Sequence, residues 1–132
     1  MISFLFDTER FNLSEVKPHF INDCCFGEDF SNWLSQQLEF ENISTTESFQ
    51  EDWGWAFYIK YNNQEYLIGV NGISNNITNK KNVGQWRVMI DKKRSLIEKL
   101  LGKNKMASNE QIIIILYEIL NKEKSFTDLY TE

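Results

Sequence analysis

The sequence predicts an α+β fold in which an antiparallel sheet of about four or five strands, arranged as a meander, has two main helices packed on one face. Apolar and polar residues alternate in separate runs between residues 53 and 91, which is typical of half-buried strands. Around residues 26–41 and 112–120, apolar side chains recur at three- and four-residue steps, which indicates amphipathic helices. The 132 residues contain no repeat and no Pro-rich or Gly-rich linker, so we expect a single domain over 1–132.

The N-terminal half begins with a strand and a helix. Residues 2–6 combine β-forming side chains with partial alternation, and an irregular segment follows to about Cys25. In the helix predicted over 26–41, Glu28 and Asp29 fall in the first turn, where carboxylates complement the positive end of the helix dipole.

The meander is predicted from three runs. Every odd position of residues 53–61 is aromatic or large and aliphatic, and residues 62–64, Asn-Asn-Gln, supply a turn. The alternation resumes over 66–70, so these two runs predict an antiparallel hairpin. A third strand is predicted over 86–91.

Two further helices are predicted towards the end of the chain. Residues 96–101 have helical spacing, and Gly102 is a typical C-terminal stop. Residues 112–116, four isoleucines and a leucine, could form a buried strand, but Ser108 and Gln111 match a capping box. We therefore predict a helix in this region.

Several classes of protein are disfavoured by composition. No stretch approaches the roughly 20 apolar residues of a membrane helix, and the N-terminal residues lack the features of a signal peptide, so we expect a cytoplasmic protein without a membrane partner. A disulfide between the adjacent Cys24 and Cys25 would require a strained ring, which favours reduced thiols. With His19 as the single histidine, a zinc site has too few ligands, and we expect no metal or cofactor.

Catalysis has one weak candidate. Cys25 and His19 could act as a nucleophile and its base, but the alternative that both cysteines are small buried side chains is favoured because no motif surrounds them. The sequence also lacks a dinucleotide-binding glycine motif, a P-loop, a nucleophile elbow and a zinc-protease motif. A non-enzymatic binding protein is the better prediction.

Charge is unevenly distributed along the chain. Residues 1–66 contain twelve Asp or Glu and three Lys or Arg, a balance of −9. Residues 67–132 contain seven and eleven, a balance of +4, which gives the net charge of −5. The carboxylates of the first half form either a solvated face or a surface that attracts a basic protein partner.

The sequence Glu51-Asp52-Trp53-Gly54-Trp55 is the most unusual local feature. On one strand the two tryptophans would share a face, which is either buried beneath the helices or exposed as an aromatic anchor beside the carboxylates. Gly54 between them would permit a close backbone approach on the other face. The candidate partner-binding residues are Asp23, Glu28, Asp29, Glu47, Glu51, Asp52, Trp53 and Trp55.

The segment 80–105 provides an alternative. Nine Lys or Arg against Asp91 and Glu98 give it a balance of +7, so it could bind nucleic acid or a phosphorylated ligand as an adaptor. The net acidity of the chain and the lack of a recognition module argue against nucleic acid. The other interpretation is an ordinary solvated helix face.

Several short motifs carry a family resemblance. They are Cys25-Phe26-Gly27-Glu28-Asp29, Glu51-Asp52-Trp53-Gly54-Trp55, Trp86, Arg94-Ser95-Leu96 and Leu101-Gly102-Lys103. In this order they resemble a family of small stand-alone bacterial proteins of uncharacterised function, which implies a bacterial origin and a domain that spans nearly the whole chain.

The general profile is also similar to that of immunity proteins of bacterial toxin systems. Those proteins are small, acidic and α+β, and they neutralise basic toxin domains by blocking their active sites. This similarity implies a basic toxin domain as the partner. It transfers no individual residue, because unrelated folds serve that role.

Overall fold

A computed structural model describes residues 1–74 and 82–132. Within these ranges the chain forms seven strands and three helices. In chain order they are β1 (Ile2–Thr8), α1 (Glu28–Phe40), β2 (Ser44–Thr45), β3 (Phe49–Gln50), β4 (Trp55–Tyr61), β5 (Gln64–Ser74), β6 (Gly84–Lys92), α2 (Leu96–Leu101), α3 (Gln111–Lys122) and β7 (Thr127–Thr131).

The strands form one antiparallel sheet with the order β2-β4-β5-β6-β1-β7, and β3 also pairs with β4. The predicted meander is confirmed, since β4 pairs with β5 and β5 with β6. The sheet has more strands than the four or five expected. The difference arises mainly from β2 and β3, which are two residues long and too short to show an alternation in sequence.

One face of the sheet forms the hydrophobic core. The ring of Phe30, on α1, lies near its centre, with ring centroids 5.6 Å from Phe6 and 5.3 Å from Trp86. Ile112 and Leu116, on α3, are fully buried in the same cluster. The sheet residues that share this core face are Phe4 and Phe6 on β1, Trp55, Phe57 and Ile59 on β4, Tyr66, Ile68 and Val70 on β5, and Trp86, Val88 and Ile90 on β6.

The helix predicted from residues 112–120 is confirmed, but its predicted cap is wrong. α3 begins after Glu110 with no side-chain cap, and the Glu110 carboxylate instead accepts a hydrogen bond from the Ala107 backbone N–H over 2.7 Å. A capping box is present on α2, where Ser95 and Glu98 bond each other's backbone N–H.

Glu110 joins α3 to the sheet. Its carboxylate lies 3.0 Å from the Lys92 ammonium and accepts a hydrogen bond from the Tyr66 hydroxyl over 2.9 Å. Burial alone would raise the pKa of Glu110. The Ala107 N–H, Lys92 and Tyr66 all favour the charged form, however, and together they hold the pKa below its ordinary value of 4.5.

We expect the substitution Glu110→Gln to lower the free energy of unfolding by about 1–3 kcal/mol at pH 7, because it leaves a largely buried Lys92 without its counter-charge. A lowered pKa stabilises the fold above the ordinary pKa, and this contribution is lost as pH falls through the folded-state value. The difference between the wild type and the variant should therefore shrink below pH 4.5. Urea denaturation across pH measures it.

Glu118→Gln is the matched control, because Glu118 is exposed on the same helix. It should change the free energy of unfolding by less than about 0.5 kcal/mol. Equal effects of the two substitutions at pH 7 would contradict this role of Glu110.

Candidate partner-binding site

The bend before β4 sends the two tryptophans to opposite faces of the sheet. Trp55 is 5% exposed in the core, and its indole N–H donates to the Cys25 carbonyl oxygen over 2.9 Å. Trp53 precedes the strand, and its ring lies on Gly69, so close that a Cβ at Gly69 would be 2.8 Å from the Trp53 Cζ3 atom. The prediction of a shared face is wrong, because the two-residue period of β4 begins only at Trp55.

Gly54 permits this arrangement. A Cβ at Gly54 would overlap the Val70 carbonyl oxygen and would lie 3.0 Å from the Cβ atom of Asn71. The predicted close backbone approach at Gly54 is therefore confirmed, and the neighbour is the backbone of β5.

Trp53 forms one wall of a groove on the sheet face opposite to the core, which we call the outer face. The groove has a volume of about 520 Å³. Trp53 is 38% exposed, so part of its ring is open to solvent. The groove is lined by Met1, Trp53, Leu67, Gly69, Asn71, Ile73, Arg87, Met89 and Asp91.

Sequence reasoning missed the aliphatic residues of this groove. Leu67 and Ile73 occupy positions of β5 that alternate with the core residues Ile68 and Val70. The sequence could have indicated this groove, because β5 has apolar side chains on both of its faces. A strand with one solvated face normally carries polar residues on that face.

Gln50 connects the loop before α1 to the segment before β4. Its side-chain oxygen accepts hydrogen bonds from the backbone N–H groups of Ile21 (2.6 Å) and Asn22 (3.1 Å). Its amide group donates to the carbonyl oxygens of Asn22 (2.8 Å) and Cys25 (3.0 Å). This double bridge fixes the loop against β3.

The bridge brings three of the candidate carboxylates together. Asp23 lies between Asn22, whose amide donates to the Glu51 carbonyl oxygen over 3.3 Å, and the cysteine pair, which contacts the Asp52 carbonyl oxygen. Asp23 and Asp52 are exposed, and Glu51 is half-buried. Glu51 and Asp52 directly precede Trp53 in the bend.

The other three candidate carboxylates lie around the first turn of α1. Glu28 contacts the His19 Nε2 atom over 2.6 Å, and the Asp29 carboxylate accepts a hydrogen bond from the Asn12 backbone N–H over 2.8 Å. Glu47 is exposed and precedes Ser48, whose hydroxyl is hydrogen-bonded to that of Ser31 on α1. We call the six carboxylates Asp23, Glu28, Asp29, Glu47, Glu51 and Asp52 the acidic end.

Five members of the acidic end form no salt bridge within the residues described. The salt bridges formed in ranges 1–74 and 82–132 do not involve Asp23, Asp29, Glu47, Glu51 or Asp52. Glu28 is paired with His19, and Asp29 accepts a hydrogen bond from a neutral backbone N–H, so these two also hold the loop in place. The arrangement can attract cations and offers an apolar wall beside them.

The basic segment 80–105 is partly neutralised. Lys92 pairs with Glu110, Lys93 pairs with Glu65 over 3.0 Å, and the Arg94 guanidinium donates to the Lys103 carbonyl oxygen over 3.1 Å. Lys80 and Lys81 lie outside the described residues. The adaptor alternative remains a prediction.

The cysteines do not conform to the sequence-based expectation. Cys24 and Cys25 are joined by a disulfide, so the prediction of reduced thiols is wrong. Cys25 is buried as expected, whereas Cys24 is exposed. The prediction of free thiols considered only the strain of a ring between two adjacent cysteines. It did not include the contacts of the loop that carries them, in which Gln50 and Trp55 both donate hydrogen bonds to the Cys25 carbonyl oxygen.

Across residues 1–74 and 82–132, no group of three or more His, Cys, Asp or Glu side chains is placed to hold a metal ion. None of the helices in the same ranges has the length and apolar character needed to cross a membrane.

Comparison of the chain with protein-family models, with curated proteins and with solved structures finds no match in any of the three. The resemblance to a family of small bacterial proteins stays a prediction, and so does the similarity to immunity proteins.

The position of Trp53 can be tested with Gly69→Ala. The added Cβ would meet the end of the indole ring, which can swing into solvent, so we expect Trp53 to become more accessible to acrylamide quenching. The loss of unfolding free energy should stay below the roughly 1–3 kcal/mol typical of core overpacking. A quenching constant equal to that of the wild type would contradict the stacked position.

Gly54→Ala is the comparison variant. Its Cβ would meet the Val70 carbonyl oxygen, which belongs to the β5 backbone and has little room to move. We therefore expect a larger loss of stability than for Gly69→Ala, measured by the same denaturation experiment.

Proposed function

We propose that this chain is a non-catalytic binding protein that holds a basic protein partner against its acidic end, with Trp53 as the apolar anchor. The partner class that fits best is a bacterial toxin domain, which would make the chain an immunity protein. The observation that carries the proposal is the position of Trp53. It lies outside the core, is partly exposed and directly follows Glu51 and Asp52.

The proposal includes a free outer face, which requires that α1 and α3 both cover the core face. Leu34 and Leu38 of α1 and Ile112 and Leu116 of α3 are all fully buried in the cluster that contains Phe57. This shared burial supports the arrangement. With both helices on that side, the outer-face groove remains accessible to a partner.

The physical roles of the two features differ. Unneutralised carboxylates raise the rate at which a basic protein arrives, and this effect weakens as salt increases. A partly exposed tryptophan in a groove supplies the desolvated contact that most often dominates binding energy. Asp23, Glu51 and Asp52 would therefore steer the partner, and Trp53 would hold it.

Inhibition by occupation of a toxin surface needs no chemistry from this chain. The arrangement of the reactive side chains supports this part of the proposal, since the His19 ring is held by Glu28 and both cysteines are in the disulfide. The cytoplasm is the proposed location because such an inhibitor must meet its toxin there. Disulfides are rare in cytosolic proteins, so the proposed location rests on this functional requirement and not on the cysteines.

Charge reversal at the acidic end tests the proposal. The tagged chain is used to capture proteins from the cells that make it, and a retained basic protein is then purified and its association measured. We expect Glu51→Lys with Asp52→Lys to weaken binding at least 10-fold, mainly through slower association. Trp53→Ala should weaken it about 30-fold through faster dissociation, as for a binding hot spot.

Glu41→Lys with Glu118→Lys is the matched control. It makes the same change in net charge at two exposed carboxylates, at the end of α1 and on α3. Binding should be nearly unchanged. The proposal is wrong if both pairs of substitutions weaken binding equally, or if the captured partner is bound without dependence on salt.

A further inference from the structure

The six-residue helix α2 exposes most of its apolar surface. None of its residues is buried, and four large aliphatic side chains are between 61% and 77% exposed. Large contiguous apolar patches on a protein surface mark interaction sites. We call these four residues the α2 ridge: Leu96, Ile97, Leu100 and Leu101.

Hydrogen bonds at both ends hold the ridge in place without packing. The Ser95 hydroxyl accepts from the Glu98 N–H over 3.1 Å, and the Glu98 carboxylate accepts from the Ser95 N–H over 2.9 Å. Gly102 ends the helix in the left-handed conformation, and the Lys103 N–H donates to the Glu98 carbonyl oxygen over 2.8 Å. A helix of one and a half turns is unstable without such caps. The ridge is therefore formed before any partner binds, which reduces the entropy lost on binding.

The residues around the ridge are cationic. From residue 92 to residue 105 the chain has six Lys or Arg against Glu98 alone, a balance of +5, although Lys92 is paired with Glu110 and Lys93 with Glu65. Within the described ranges, the salt bridges do not involve Lys99, Lys103 or Lys105. Two α2 ridges packed symmetrically would bring these like charges together, which opposes a symmetric dimer. The surface that covers the ridge must be apolar and negatively charged.

The same chain carries a surface of that chemistry at its other end. Register places Lys92 opposite Tyr66 and Trp55 opposite Val70, four residues apart along β5 and hence about 13 Å. The ridge follows the Lys92 end of β6, whereas Trp53 and the acidic end lie at the start of β4. Within one chain the ridge and the acidic end therefore lie apart, and the acidic end of a second copy can meet the ridge.

We propose that the α2 ridge docks into the outer-face groove beside the acidic end of a second copy, so that the protein associates head to tail. Leu96 and Leu100 would contact Trp53, and Lys99 and Lys103 would approach Glu51 and Asp52. The contact is heterologous, so each added copy leaves one ridge and one acidic end free. Self-association itself does not depend on the proposed function. If that function holds, a second copy competes with the partner for Trp53.

Sedimentation velocity of the full chain tests the proposal at protein concentrations from about 10 to 500 μM. We expect the mean sedimentation coefficient to rise with concentration at low salt and to rise less at 0.5 M salt, where charges are screened over about 4–5 Å. Leu96→Ser with Leu100→Ser should keep the chain monomeric. Both side chains are exposed, so the variant should fold, which circular dichroism checks.

Charge swapping identifies the two surfaces. Lys99→Glu with Lys103→Glu, and Glu51→Lys with Asp52→Lys, should each weaken association at least 10-fold. A chain with all four substitutions should associate again, because the charges are complementary once more. Glu41→Lys with Glu118→Lys should have no effect.

Three outcomes would overturn the proposal. They are a monomer at every concentration, a dimer that survives Glu51→Lys with Asp52→Lys, and a failure of the four-substitution chain to associate. Binding of the wild-type monomer to vesicles of phosphatidylglycerol, lost in the Leu96→Ser, Leu100→Ser variant, would assign the ridge to a lipid surface instead. None of these results depends on partner capture, so this proposal and the proposed function can fail separately.

Discussion

The contact between Gly54 and the Val70 carbonyl oxygen is the constraint on which the rest of the candidate site depends. Because Gly54 has no side chain, the backbone before β4 lies directly against the backbone of β5. Trp53 and Trp55, on either side of Gly54, point to opposite faces of the sheet. Trp55 enters the core and binds the Cys25 carbonyl oxygen, which fixes the loop before α1. Trp53 turns to the outer face. One residue without a side chain thus determines both the anchor of the acidic loop and the wall of the groove.

The charge polarity of the sequence becomes a polarity of the molecule because the sheet is antiparallel. Loops that are far apart in the chain meet at the same end of the strands, and Gln50 joins two of them. The acidic loops thereby collect at the start of β4, while the cations that follow Lys92 lie beyond the opposite end of β5 and β6. The protein therefore has two surfaces of different chemistry, one acidic beside Trp53 and one cationic beside the α2 ridge.

The predictable parts of the fold are those set by long periodic runs. The runs 53–61 and 66–70 predicted the first hairpin of the meander, and residues 26–41 predicted α1. Burial of one face of a strand or helix makes apolar residues recur at regular intervals in its sequence. The prediction placed Trp53 on the same face as Trp55, because the alternation of apolar residues does not show at which residue the strand begins. The disulfide at Cys24 lies in a loop held by tertiary contacts, which the spacing of two adjacent cysteines does not reveal. The acidic residues were found by composition, but only the contacts of Asn22 and Cys24 show that the loop carrying Asp23 lies beside Glu51 and Asp52.

The position of β1 in the sheet has a consequence for how the protein is made. β1 lies between β6 and β7, and Asp7 and Thr127, which meet across the β1–β7 pair, are 120 residues apart. At a synthesis rate of about 5–20 residues per second, β1 would wait on the order of ten seconds for its second neighbour. During that interval Phe4, Leu5 and Phe6 have no complete sheet in which to bury. The nascent chain should therefore present this strand to chaperones until β7 has emerged from the ribosome.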